Sequence, residues 1–254
     1  MKKTGVCLLS IIPMRAEPAE KSEMVSQLLF GEYFIIVDQT EKWLYVKSGV
    51  DGYEGWVSKN MVSDLPDDFP ITNVPHVICS PYAICAVAGK RIHLPGGSLL
   101  PATIEKSYFQ LGGLRYTFCG GMTQPESGSL VALALQYLGA PYLWGGKTIF
   151  GMDCSGLVKI MCRMAGHWIP RDASQQAQNG TKIPYNLAAT GDIAFFCDDN
   201  GNVVHNGILC DANSIIHASG SVRIDRFDEQ GIFNDNEKKY THRLYSIKRI
   251  QNNL

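Results

Sequence analysis

Residues 151–161 read GMDCSGLVKIM, and this stretch decides the fold of the second half of the chain. Cys154 falls at the predicted N-terminus of a helix in which Leu157, Val158, Met161, Met164 and Ala165 recur at helical spacing until Gly166 ends the run. The orphan N–H groups and positive dipole end of a helix start favour a thiolate, so Cys154 is expected to have a lowered pKa. A buried cysteine at a helix–loop junction is the ordinary alternative. Cys162, on the same helix, and the other six cysteines lack a helix start with polar flanks.

Outward from this helix the texture is consistent. Upstream, ESGSLVALALQYLG (126–139) predicts another helix, broadly buried through positions 130, 131, 133, 134, 135 and 138, capped by Ser127 or Ser129 and ended by Gly139. Downstream come strands: DIAFF (192–196), VVHNGIL (203–209), SIIHAS (214–219), VRIDRF (222–227) and RLYSIKRI (243–250). Helices followed by an antiparallel sheet make an α+β domain. A thiol nucleophile needs a base, and the base an orienter. Of the six histidines, His205 and His217 lie on consecutive predicted strands, where neighbouring strands can set them on one face. Gly207 shares the face of His205 and leaves room for a close approach. Either histidine alone reads as structural; together, downstream of a helix-start cysteine, they point to a Cys–His–His relay.

The first half reads as all-β. YFIIVDQT (33–40), WLYVKSG (43–49) and DGYEGWVS (51–58) are short strands and turns of a small barrel over residues 1–66, with DLPDDFP (64–70) as its edge. HVICS, YAICAVAG, YFQLGG and LRYTFCGG repeat the style and predict a second small barrel over 67–122, ahead of a domain at 123–254. The opening MKKTGVCLLSIIP mimics a signal peptide, but Pro13, Arg15 and Glu17 follow at once, and a first strand is the preferred reading. That makes a cytoplasmic location the expectation, with export as the alternative.

Composition excludes several classes. Twenty-three basic against twenty-four acidic side chains give a net charge of −1, so neither nucleic acid nor an anionic surface is an expected partner. No 18-residue apolar run exists, so no membrane span is expected. Eight cysteines without a paired spacing point to thiols rather than a disulfide framework, and no Cys/His spacing suggests zinc; no metal or other cofactor is expected.

In their order and spacing DCSGLV, GDIAFF, HNGIL and IIHAS, with APYLWGGKT (140–148) upstream, resemble the NlpC-type cysteine peptidases of bacterial cell-wall metabolism over residues 123–250. The resemblance implies a papain-like catalytic domain with Cys154 as nucleophile, His205 as base, His217 as the residue that orients it and Tyr142 as an oxyanion donor. SEMVSQLLFGE (22–32) and DGYEGWV (51–57) look like the SH3-like domain of one subgroup, so both small barrels are expected to be SH3-like. That subgroup cleaves the γ-D-glutamyl–diamino acid bond of short murein peptides with a free N-terminal L-alanine. It implies substrate contacts from Trp144, Asp153, Ser155 and Asp172, and from Tyr53 and Glu23 in the first barrel, with Glu17 the rival of Glu23. The diamino acid, meso-diaminopimelate or L-lysine, stays open. Rival readings are an exported hydrolase of intact wall using its barrels as wall-binding modules, a non-catalytic binding module, and an acyl transferase.

Overall fold

The computed structural model describes residues 3–67, 69, 76–100, 104–105, 107–120 and 129–250. The chain divides into two compact units, Met1–Gln124 and Pro125–Leu254.

In the first unit, Thr4–Val6 pairs with both the 33–39 strand and Ser63–Asp64, so the apolar opening run is built into the sheet as a strand. Seven strands between Thr4 and Asp64 form one antiparallel sheet around Cys7, Ile12, Met14, Leu28, Phe34, Leu44, Val46 and Val57. The later strands form a five-stranded antiparallel sheet, Tyr82 to Gly120, in which the first strand pairs with the last, and a two-stranded ladder. Their core takes Phe30 from the first sheet, edge-on to Phe109 and Tyr116. The segments therefore share a core across the expected boundary at 66. Gly31 holds that junction: it has φ +80°, and a Cβ there would stand 2.0 Å from the carbonyl oxygen of Leu99.

Among the described residues the second unit has three α-helices, and its largest element is a β-sheet. Helix α1 spans Leu130–Leu135, α2 Cys154–Met164 and α3 Ala173–Gln176. Seven strands follow: β1 Thr181–Ile183, β2 Ile193–Cys197, β3 Val203–Leu209, β4 Ser214–Ser219, β5 Ser221–Asp228, β6 Gly231–Asn234 and β7 Lys239–Arg249. They lie in the order β1-β7-β2-β3-β4-β5-β6, and β6 also pairs with β7. Six strands thus close into a barrel where the sequence suggested an open sheet. The missed strand β6, in GIFN, supplies the closure, which removes two exposed edges. Ala194, Phe196, Leu209, Ile215, Phe227, Ile232 and Ile247 fill one cluster of the domain core.

Ser129 caps α1, its hydroxyl accepting from the Ala132 N–H at 3.2 Å, while Ser127 lies outside the described residues. The broad burial expected of α1 does not hold. The helix is one and a half turns long, and Leu135 and Leu138 stay exposed while Tyr137 turns inward. The opposite departure occurs in α2, which is buried on every side, Lys159 and Arg163 included. It packs against β3 and β4, and the ammonium of Lys159 donates to the carbonyl of Ile169 at 2.6 Å. A buried cation satisfied this way avoids most of its desolvation cost.

Candidate active site

The start of α2 is locked before its cysteine is considered. Asp153 caps the helix: its carboxylate accepts from the Gly156 N–H at 2.6 Å and from the Gly145 N–H at 2.8 Å. Arg171, which is buried, closes on the same carboxylate in a fork at 3.1 and 2.5 Å and donates to Ser155 Oγ at 2.7 Å. Gly156 is required because a Cβ there would meet the carbonyl oxygen of Gly146 at 2.2 Å. The segment 142–146 is thereby drawn against the first helical turn, and Tyr142 is pinned further by its N–H, which donates to Gly220.

Cys154 stands at the first position of α2, 6% exposed, and the backbone N–H groups of Asn206 and Ser155 are directed at its sulfur. Asn206 neighbours His205 on β3 and points to the opposite face, toward the helices. Its amide donates to Gln176 Oε1 at 2.6 Å, and Gln176 Nε2 donates to the carbonyls of Ser155 and Pro170. The cysteine-bearing turn and the histidine-bearing strand are therefore joined through α3. Sequence patterning hid this link, because Asn206 and Gln176 look like ordinary polar residues.

His205 Nε2 lies 2.8 Å from His217 Nδ1, both rings buried. Register explains the distance. Gly207 is the residue directly opposite His217, which sets His205 on the diagonal. A Cβ at Gly207 would stand 2.8 Å from that of His217, so glycine is what lets the imidazoles meet. Beyond the pair, His217 Nε2 meets Asp225 Oδ2 at 3.0 Å, and Arg223 forks onto Asp225 Oδ1 at 3.1 and 2.6 Å. His242 stacks on His205 with ring centroids 4.1 Å apart. None of Asp225, Arg223, His242 or Arg171 was singled out from sequence. Alternation along β5 was the available signal for Asp225, which shares the inward face of Phe227.

The titration behaviour departs from expectation in one respect. Burial, reinforced by the Asp153 carboxylate, pushes the Cys154 thiol up to about 11, against the lowering expected of a helix start. The N–H groups of Asn206 and Ser155 and the Arg171 guanidinium act the other way but do not outweigh desolvation. Burial, with His242 and His217 adding to it, drives His205 well below its usual value. Thiol and imidazole are thus both neutral at rest. Tyr142, half-buried and beside Cys154, is raised to about 12 and keeps its proton.

The remaining expected residues separate. Asp153 and Ser155 are buried and already engaged, so any ligand contact they make is shared with Arg171. Trp144 is well exposed on the segment after Tyr142. Asp172 caps the short α3, its N–H donating to the Gln175 side chain. Glu23 and Tyr53 belong to the first unit. Glu23 and its rival Glu17 are both exposed at the ends of one connection, closed where the Ala16 N–H donates to the Glu23 carbonyl, and Tyr53 packs on the first core. Among the described residues no group of side chains could hold a metal ion, and no helix is long and apolar enough to cross a membrane.

Residues 139–243 match the model of the NlpC/P60 family, and residues 14–61 match that of the bacterial dipeptidyl-peptidase Sh3 domain. Among curated relatives, a gamma-D-glutamyl-L-lysine dipeptidyl-peptidase of Bacillus subtilis is 28% identical over 76% of this chain and 71% of its own. Dipeptidyl-peptidase 6 of Lysinibacillus sphaericus is 28% identical over 89% of this chain and 92% of its own. An NlpC/P60 family protein from Bacillus cereus shares the fold with a TM-score of 0.83, at 20% identity over 97% of this chain and 99% of that one.

Proposed function

From the premise that residues 139–243 are an NlpC/P60 domain and residues 14–61 a bacterial Sh3 domain, we propose that this protein is a cysteine peptidase hydrolysing the γ-D-glutamyl–diamino acid bond of short murein peptides with a free N-terminal L-alanine. The observation that carries the reading is the grouping at the middle of β3: a helix-start cysteine addressed by the Asn206 N–H, whose chain neighbour is a histidine tied at 2.8 Å to a second.

His205 Nε2 is committed to His217, which leaves Nδ1 to take the thiol proton. Because both groups rest neutral, proton transfer accompanies attack rather than preceding it. Sulfur attacks the γ-carbonyl carbon, the C–S bond forms, and the oxygen gains the charge. That oxyanion is met by the backbone N–H of Cys154, an orphan donor of the first helical turn, and by the protonated Tyr142 hydroxyl. The imidazolium returns its proton to the leaving amine as the C–N bond breaks. Water then attacks the thioester with His205 as base, releasing L-Ala-γ-D-Glu and restoring the thiol.

Recognition of the free amine falls to carboxylates, because an ammonium removed from water needs charged acceptors. We assign this to Asp172, and assign Trp144, Asp153 and Ser155 to the γ-D-glutamyl unit. The gamma-D-glutamyl-L-lysine in the name of the Bacillus subtilis relative supports the linkage.

The test incubates the protein with L-Ala-γ-D-Glu-meso-diaminopimelate, its L-lysine counterpart and the N-acetyl form of each. Cleavage of at least one free peptide, with the acetylated form reduced more than a hundredfold, is expected. Equal cleavage of free and acetylated peptides overturns the amine requirement, and release of fragments from intact sacculi at a comparable rate overturns the short-peptide reading.

A further inference from the structure

The histidine pair does not end the polar chain. His205, His217 and Asp225 lie on β3, β4 and β5, all on the inward face. The pairing of Gly207 with His217 makes His205 and His217 diagonal neighbours, and the pairing of His217 with Arg223 makes His217 and Asp225 diagonal neighbours. Diagonal positions on paired strands stand about 7–8 Å apart, too far for short side chains but within reach of a ring. The same offset is used twice, giving contacts of 2.8 and 3.0 Å. Arg223, directly opposite His217, holds Asp225 Oδ1 through Nε and Nη2 and leaves Oδ2 for His217.

The donor and acceptor roles then follow one from another. Burial alone would raise the Asp225 carboxyl, but His217 and Arg223 together hold it below the usual range, so it is an ionised acceptor. The nitrogen facing it, His217 Nε2, must carry a proton. In the neutral ring that the proposal requires, that is the one proton, so His217 Nδ1 is an acceptor. His205 Nε2 faces that acceptor and must donate, so His205 Nδ1 is left with its lone pair. That is the form a base needs when it faces a thiol. Without Asp225 nothing selects between the two senses of the 2.8 Å bond, and the reverse sense puts the proton on His205 Nδ1.

We propose that Asp225, clamped by Arg223, is a positioning residue that sets the tautomers of His217 and His205 and thereby makes His205 competent as the base. Asp225 touches neither thiol nor substrate and acts through His217. The inference rests on the assignment of His205 as base, but the tautomer claim stands on its own and is measured without substrate. The groups that face this chain are Arg223 on β5 beside Asp225, and His242 on β7 stacked on His205 with its Nδ1 2.8 Å from Thr241 Oγ1.

The experiment uses the full chain with 15N-labelled histidine. In the wild type at pH 7, both His205 and His217 are expected as neutral rings protonated at Nε2, assigned against His205→Gln, His217→Asn and His242→Gln. In Asp225→Asn, whose amide can donate to His217 Nε2, the proton is expected to shift to Nδ1 of both rings. With a cleavable murein peptide, kcat should fall about a hundredfold or more while KM changes less than threefold, and Asp225→Glu should recover at least a tenth of wild-type kcat. Retained tautomers in Asp225→Asn, or a His217 cation in the wild type, overturn the proposal. A variant that loses kcat with unchanged tautomers likewise overturns it. If the wild type cleaves none of the peptides but the tautomers behave as stated, the substrate reading fails and the positioning claim survives.

Discussion

Cys154 and Cys162 stand two turns apart on one buried helix, and both thiols are pushed up by desolvation, to about 11 and about 12. Their difference lies in what surrounds the sulfur. At Cys162 the neighbouring helix faces are packed, and Lys159, three residues back on the same helix, acts against the burial. At Cys154 two backbone N–H groups are directed at sulfur, a carboxylate caps the turn beneath it, and a neutral imidazole waits on the adjoining strand. Helix position alone therefore does not make a nucleophile. In the proposed mechanism donors and a base do, and they make it at the moment of attack rather than at rest.

The comparison breaks most sharply at the thiols. Cys154→Ala is expected to abolish peptide cleavage, a loss of at least about 10⁴-fold, whereas Cys162→Ala should leave kcat/KM within threefold and cost about 1–2 kcal/mol of stability as a small cavity in a packed helix. Steady-state cleavage and thermal unfolding of the two purified variants check both. Removing the base comes next: His205→Gln should lower kcat by about 10²–10⁴-fold.

A third test addresses the ground beneath Cys154. Arg171→Met leaves the buried Asp153 carboxylate without its fork, and breaking a buried pair from one side costs about 3–5 kcal/mol. Gly145 and Gly156 still donate to Asp153, which places the expected loss near the lower bound, read from denaturant unfolding.

The smallest effect is in pH. His242 is lowered to about 4 by burial, and His205 falls well below its usual value, so the unfolded chain binds more protons than the native one as pH falls below 6.5. Stability is therefore complete above about 6.5 and declines as pH drops toward 4. His242→Gln should flatten part of that decline in a series of thermal scans. The raised thiol has the opposite reach: alkylation of Cys154 by iodoacetamide should accelerate about tenfold per unit between pH 7 and 9.

Much of the site was legible because it is local. DCSG sets the proposed nucleophile at a helix start, and His205 and His217 sit on strands whose alternation is plain. What was not legible depends on partners distant in sequence. The Asp225 carboxylate looks like a surface charge until β4 and β5 are paired, and His242 reaches His205 only because β7 returns beside β2 and closes the barrel with β6. The sign of the Cys154 shift was missed for the same reason: a helix start is visible in sequence, but the depth at which it is buried is not. The exposed Leu135 and Leu138 carry the converse lesson, since apolar periodicity marks a helix without saying how much of it another element covers.

Trypsin cuts between the two cysteines of α2, after Lys159, and so separates residues 148–159 with Cys154 from residues 160–163 with Cys162. The most direct test of the central claim is mass spectrometry of those fragments after acid quenching the enzyme during turnover of L-Ala-γ-D-Glu-meso-diaminopimelate or its L-lysine counterpart. A thioester adduct of L-Ala-γ-D-Glu on the 148–159 fragment is the predicted result. The same adduct on the 160–163 fragment, or peptide cleavage that persists in Cys154→Ala, would contradict it.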